Sequence, residues 1–242
     1  MMDHLVWFLV LTFIAEIIGT IGGFGSSVFF VPLAGFFFGF EEVLGVTAVF
    51  HVASNLAKIV LFKKGLDKFV LLNIGIPAVI FVLFGSYLSG ILVTQYFELF
   101  LGAFLVLFSG FLLIKENIVI EPNARNASIG GAFSGFAAGL LGTGGAIRGL
   151  TMAAFNMEKA VFISTSAAID MGVDISRTVV YASNGFITKN TLLLVPFLLV
   201  VSFAGSYAGK YLLKYIPQEK FKKISLGLIL VIGIVTLVGL RF

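Results

Sequence analysis

Thr47, His51, Asn55 and Lys58 follow one another at steps of four, four and three residues. Ser166, Asp170, Asp174 and Arg177 repeat those steps 119 positions later, and Tyr181 extends the second series by four. Steps of three and four place each series on one face of a helix. Lys58 and Arg177 are cations that can offset an anion, and arginine can grip two oxygens at once. Asn55 donates hydrogen bonds without charge. Asp170 and Asp174 repel anions, so pairing with Arg177 or Lys58, or carriage of a proton, suits them better than direct contact. The His51 imidazole can take and release a proton near neutral pH. Arg148 and Glu16 stand outside both series and have no counterpart in the other half of the chain. Arg148 suits an anion ligand and Glu16 a second proton carrier. Plainer roles compete with these. Lys58 is close enough to a segment end to snorkel outward, Asp174–Arg177 can be a structural pair, and His51 can simply bond a neighbouring helix.

The elements that carry these residues are apolar. Of 242 residues, 59% are hydrophobic and 12% charged, and the mean hydropathy is +1.11. Ten apolar segments are legible, at about 5–20, 24–40, 43–62, 69–92, 96–115, 127–142, 145–157, 158–182, 190–213 and 219–240. Most approach the ~20 residues that cross a bilayer, and short alternating strands of a membrane barrel are missing. The first segment lacks the basic start of a signal peptide and reads as a retained helix. The fold class is therefore an all-α polytopic membrane protein, with the lipid bilayer as its first partner. Polar stripes facing lipid are expensive, so both should point into the protein and meet.

Two glycine clusters interrupt these helices. Gly22, Gly23, Gly25, Ser26 and Ser27 precede segment 24–40, and Gly142, Thr143, Gly144 and Gly145 precede segment 145–157. Both following segments are short and are candidates for re-entrant half-helices. A helix start inside a membrane offers unpaired N–H groups and partial positive charge, which suit an anion. Close helix packing is the competing explanation for glycine in lipid, and it is preferred for the scattered Gly102, Gly130, Gly131 and Gly227.

The two halves resemble each other. Gly85-Ser86-Tyr87 answers Gly205-Ser206-Tyr207, Pro77 answers Pro196, and Gly22 answers Gly142, all at offsets of 119 or 120. This register predicts a first repeat at 1–114, a linker at 115–128 and a second repeat at 129–242, each of about five segments. Placing loop 63–68 in the cytoplasm puts Lys63, Lys64, Lys68, Lys115, Arg125, Lys159, Lys210, Lys214, Lys220, Lys222 and Lys223 there, leaving Lys189 and Arg241 outside. That is a strong positive-inside bias. The linker is then cytoplasmic, both termini are outside, and the repeats have inverted topology, a common transporter design. The net charge of +4 belongs to this bias and gives no nucleic-acid footprint.

GTIGGFGSSVFFVPL at 19–33 resembles the first glycine-rich signature of the TauE/SafE family of sulfite and sulfonate exporters, through Gly22, Gly23, Gly25 and Pro32. GLLGTGGAIRGL at 139–150 is similar to its second copy, through Gly139, Gly142, Gly144 and Gly145, with Met152 where a proline usually stands. The resemblance implies a cell-membrane transporter for sulfite or an organosulfur anion. Anion binding is expected at the two glycine clusters with Asn55, Lys58, Arg148 and Arg177; Glu16, His51, Asp170 and Asp174 are the proton-coupling candidates. An anion channel on the same fold is the alternative. The phosphate-binding loop and the His-Glu-x-x-His motif are missing, which argues against an enzyme, and no cofactor or metal is expected from two histidines and no cysteine. Homo-oligomerisation is left open. In intact cells, cysteines placed at Lys64 and Lys222 should resist an impermeant maleimide, while one at Lys189 should react; external labelling at Lys64 would overturn the orientation.

Overall fold

The computed structural model describes residues 2–62, 65–91, 95–115 and 121–238. Among them are ten helices: α1 Met2–Gly22, α2 Ser27–Ala34, α3 Phe40–Leu61, α4 Lys68–Leu88, α5 Gln95–Ile114, α6 Ala124–Leu141, α7 Gly145–Ala154, α8 Lys159–Ser183, α9 Lys189–Leu213 and α10 Gln218–Val238. No strand occurs among the described residues. Among the described residues, five helices are long and apolar enough to cross a membrane: α1, α3, α4, α9 and α10.

The two segments after the glycine clusters are short. With 8 residues in α2 and 10 in α7, they reach about 12 and 15 Å, half or less of a ~30 Å hydrocarbon core. Positive φ angles of 82° at Gly23, 91° at Gly25 and 74° at Gly142 turn the chain before each, a region that L side chains avoid. Helix α2 folds back along α1: the Phe8 ring lies 5.8 Å from that of Phe30, 5.3 Å from Phe37 and 5.2 Å from Phe38. Helices α6 and α7 form the corresponding turn, tied by the Ser134 hydroxyl donating to Gly144 O at 2.9 Å.

Small residues set the helix seams. A methyl group at Gly131, Gly135 or Gly139 of α6 would lie 2.3, 2.0 or 2.3 Å from Ile74 O, Ala78 O or Val82 O of α4. The four-residue steps run in the same sense on both helices, so α4 and α6 are parallel. Gly205 and Gly209 of α9 meet Glu16 and Thr20 of α1 in the same way. Gly102 packs closely on α10, as expected, whereas a methyl group at Gly227 would meet no described atom of another element within 4 Å. Large apolar side chains such as Trp7, Ile76, Phe84, Leu193 and Val200 face outward instead. This inside-small, outside-large order suits lipid.

The larger packing contacts keep their pattern when α1–α5 is exchanged with α6–α10. Helix α4 packs on α6 as α9 does on α1, α3 on α9 as α8 on α4, and α1 on α2 as α6 on α7, while α3–α8 and α5–α10 map onto themselves. One end of the bundle collects the 65–67 loop, where Ser164 donates to Gly65 O and Thr165 accepts from the Asp67 N–H, and the α9–α10 turn, to which Lys159 donates. Lys68, Lys115, Arg125, Lys159, Lys210, Lys214, Lys220, Lys222 and Lys223 lie toward that end, and Lys189 starts α9 at the other. Lys63, Lys64 and Arg241 fall outside the described residues. Helix α6 begins at Ala124, within the expected 115–128 linker, because the Asn123 side chain accepts from the Asn126 N–H at 2.9 Å and caps it.

Substituting Gly135 by alanine should lower the melting temperature in detergent, since a Cβ 2.0 Å from Ala78 O forces a backbone shift worth about 1–3 kcal/mol. Gly227→Ala should be neutral or stabilising by up to about 1 kcal/mol.

Candidate functional site

The two polar stripes meet in the middle of the bundle. Thr47, His51, Asn55 and Lys58 of α3 are buried, as are Ser166, Asp174, Arg177 and Tyr181 of α8. Asn55 donates from Nδ2 to Asp174 Oδ2 at 2.6 Å, joining two positions that the sequence register makes equivalent. Three buried cations then pair with three carboxylates, each pair drawn from one half of the chain.

The first pair is Lys58 with Glu16. Lys58 Nζ stands 2.6 Å from Glu16 Oε1 and donates to Ser54 Oγ at 2.5 Å. Ser54 and Ser206 donate to the same carboxylate oxygen at 2.8 and 2.7 Å, Thr20 at 3.4 Å, and Ser26 donates to the other oxygen at 2.5 Å. A carboxylate at 0% exposure needs such a shell, because an unpaired buried charge is costly. Lys58 therefore turns inward and does not snorkel.

The second pair is Arg177 with Asp174. Arg177 Nε and Nη2 reach Asp174 Oδ1 at 2.7 and 2.6 Å. Its Nη1 donates to Ala138 O and Gly142 O at 3.1 and 2.7 Å, and the Tyr181 hydroxyl donates to Gly139 O at 2.5 Å. These are the last carbonyls of α6, which ends beside the left-handed Gly142. A cation there satisfies orphan acceptors and opposes the negative helix end. The sequence suggested Arg177 as an anion ligand; in the structure its nitrogens hold Asp174 and the end of a broken helix.

The third pair is Arg148 with Asp170. Arg148 Nη1 and Nη2 bond Asp170 Oδ1 and Oδ2, Nε donates to Ser166 Oγ at 3.0 Å, and Nη2 also donates to Phe24 O at 3.0 Å. Asp170 thus pairs with Arg148, not with Arg177 or Lys58. The partner was not legible because Arg148 lies on the short α7, whose placement depends on the chain turn before it. The two glycine breaks touch at this point. A methyl group at Gly145 would lie 2.2 Å from Phe24 O and 3.4 Å from Ser27 Oγ, and one at Gly25 would lie 3.3 Å from Asp170 Oδ2. Gly144 backs onto Ser134 O, Gly22 O accepts from Ser225 at 2.8 Å, and Gly23 packs on Phe162 and Phe221. At 13% exposure, Asp170 is the most accessible of the three carboxylates; Arg148 is at 1%. His51 Nε2 and Thr143 Oγ1 are buried without hydrogen-bond partners.

The chain matches the model of the family described as "Sulfite exporter TauE/SafE" over residues 8–236. It belongs to the TauE/SafE family. No curated protein and no solved structure matches it. Membership makes this a multi-pass membrane transporter of the sulfite-exporter type, in keeping with its apolar helices. Among the described residues of this TauE/SafE protein, no group of three His, Asp or Glu side chains is placed to share a metal ion. Ser54, Ser206 and Thr20 were missed as partners of Glu16. Ser206 had been visible only as part of the repeated Gly-Ser-Tyr motif, and serine is too common in membrane helices to signal a role by itself.

Replacing Arg177 by methionine leaves the Asp174 charge without its cation and Gly142 O without its donor and should cost about 3–5 kcal/mol, seen as a lower melting temperature. Adding Asp174→Asn should recover part of the loss. Unchanged stability in the single variant would show that the pair does not hold α6.

Proposed function

We propose that this chain carries sulfite or an organosulfonate out of the cell as a secondary transporter, by alternating access between two inverted repeats, 1–114 and 129–242, joined by a cytoplasmic linker at 115–128. The exchange pattern of the helix contacts and the gathering of basic residues at one end support this arrangement. Each ion pair lies within one repeat, while hydrogen bonds such as Asn55 to Asp174, Arg148 to Phe24 O and Ser206 to Glu16 cross between repeats. Rocking of the repeats would then exchange hydrogen bonds and leave the sealed Lys58–Glu16 and Arg177–Asp174 pairs intact. Separating a buried pair would be far more expensive.

The observation that carries the reading is the Arg148–Asp170 pair at the touching glycine breaks. A guanidinium edge that donates to both oxygens of a carboxylate also fits two oxygens of a sulfite or sulfonate. In this reading the substrate replaces Asp170 on Arg148. A proton neutralises the displaced carboxylate, which couples anion movement to proton movement. His51, with an unpartnered Nε2, serves as a further proton carrier. Gly25, Ser26, Ser27, Thr143 and Gly145 surround the anion with backbone and hydroxyl donors, and Gly22, Gly23, Gly142 and Gly144 shape the turns that bring these together. Asn55 and Asp174 align the repeats. Lys58 and Arg177 contribute field and hold the broken helices.

Melting temperatures should rise with sulfite or a sulfonate and stay flat with carboxylates, because a ligand of the folded state stabilises by mass action. Arg148→Gln should lose that rise. Asp170→Asn should keep it and lose substrate-driven proton flux in proteoliposomes. An Arg148→Gln variant with wild-type anion response would overturn the site. Ohmic single-channel currents in place of saturable, trans-stimulated flux would make the protein a channel.

A further inference from the structure

The lysine-rich end of the bundle holds a cavity of about 660 Å³, bounded by the end of α5, the α7–α8 turn and the starts of α8 and α10. Ligand sites commonly span about 300–1,000 Å³, so a small anion fits with its water. Glu158 and Glu219 line it beside Lys222 and Lys223. Its lining carries both signs equally, so selection of an anion has to come from deeper in the protein. The inner wall is Phe162 of α8 and Phe221 of α10, which line the cavity and are 1% and 2% exposed. Their rings meet edge to face, with centroids 5.3 Å apart and planes at 83°. Gly23 lies directly against them: a methyl group there would stand 2.9 Å from each ring. Rings from the second half of the chain thus close over the glycine break of the first half.

One turn further along each helix stands a serine. Ser166 follows Phe162 by four residues and accepts from Arg148 Nε at 3.0 Å. Ser225 follows Phe221 by four and donates to Gly22 O at 2.8 Å. Residues four apart share a helix face, and both helices start at the lysine-rich end. The order inward is therefore cavity, ring pair, hydroxyls, and then Arg148 with Asp170. Gln218 sets the two rings against each other. Its Oε1 accepts from the Lys159 N–H at 3.0 Å and its Nε2 donates to Met157 O at 3.2 Å, tying the start of α10 to that of α8.

We propose that this cavity is the cytoplasmic vestibule for the anion and that the Phe162–Phe221 pair, seated on Gly23, is the barrier between it and Arg148. The proposal rests on the anion site at Arg148 put forward above. An apolar constriction holds back water and hydrated ions without any charge of its own. The barrier is a seam between the two halves of the chain, so rocking of one half on the other lifts the rings from Gly23 and opens the route. Gly23 serves the seal as well as the turn, since a side chain there would hold the rings away.

The full-length chain has no cysteine, so single introduced cysteines report access. Inside-out membrane vesicles are treated with 2-sulfonatoethyl methanethiosulfonate, an impermeant thiol reagent that itself carries a sulfonate. Met157→Cys on the cavity wall should react quickly, and Ser225→Cys behind the rings slowly. Phe162→Ala should speed the reaction at Ser225→Cys many-fold. Phe162→Leu, a smaller cut that keeps the core filled, should do so to a lesser degree. Ser202→Cys, buried in α9, should stay slow in both backgrounds. Purified Met157→Cys, modified before reconstitution, should lose most of its sulfite flux and keep its rise in melting temperature with sulfite. The proposal is overturned if Met157→Cys is unreactive, or if Ser225→Cys reacts as fast as Met157→Cys in the otherwise unchanged chain. It is equally overturned if neither Phe162 variant changes that rate, if Ser202→Cys speeds up to the same degree, or if the modified protein transports at the full rate. Labelling needs no substrate, so its outcome stands apart from the loss of anion response that tests Arg148.

Discussion

A helix that stops inside a bilayer leaves backbone groups that no water can satisfy, and the centre of this protein is arranged around that constraint. Helix α6 ends at Gly142 with its carbonyls pointing into the bundle, and Arg177 and Tyr181 of α8 donate to Ala138, Gly139 and Gly142. Helix α1 ends at the first break, where Ser225 donates to Gly22 O and Arg148 donates to Phe24 O. Apart from Ser225, these donors are long side chains, able to reach carbonyls on neighbouring helices. Each buried cation then requires a carboxylate, which explains why Asp174, Asp170 and Glu16 sit where lipid-soluble side chains would otherwise be expected.

Charge balance and close packing depend on each other. The carboxylate of Glu16 can accept from α3, α9 and the first break only because α1 and α9 approach closely at Gly205 and Gly209. The α4–α6 seam at Gly131, Gly135 and Gly139 does the same for the other half by fixing the depth at which α6 ends. Without a hydrophobic force between helices in lipid, such small-residue seams and interhelical hydrogen bonds are what hold the bundle. The asymmetry between halves lies in chemistry: the seam position occupied by Glu16 on α1 is taken on the α6 side by backbone, Phe136 O lying against Gly85.

The three ion pairs differ in access. Those of Glu16 and Asp174 are sealed, and that of Asp170 is slightly open beside Gly25. A membrane protein that handles a small anion needs a cation that is desolvated enough to attract it and yet not permanently closed by its counter-ion. In the proposed reading Arg148, on a short half-helix attached through a turn of glycines, is that cation.

Much was determined by the sequence alone. Hydropathy and segment length specify a helical membrane protein, since burying apolar runs and satisfying backbone groups in lipid admit few other solutions. The three- and four-residue steps from Thr47 to Lys58 and from Ser166 to Tyr181 disclose two inward faces, because helical periodicity is a local property. The glycine clusters disclose the breaks for the same reason, through backbone freedom at single positions. Which cation meets which carboxylate was decided only by the tertiary structure. That choice depends on the relative depth and rotation of helices far apart in the chain. Arg148 reaches Asp170 because two glycine turns set α7 against Phe24; Lys58 reaches Glu16 because glycines 205 and 209 let α9 close over α1. Local spacing gives a side chain its face, and only packing between helices gives it a partner.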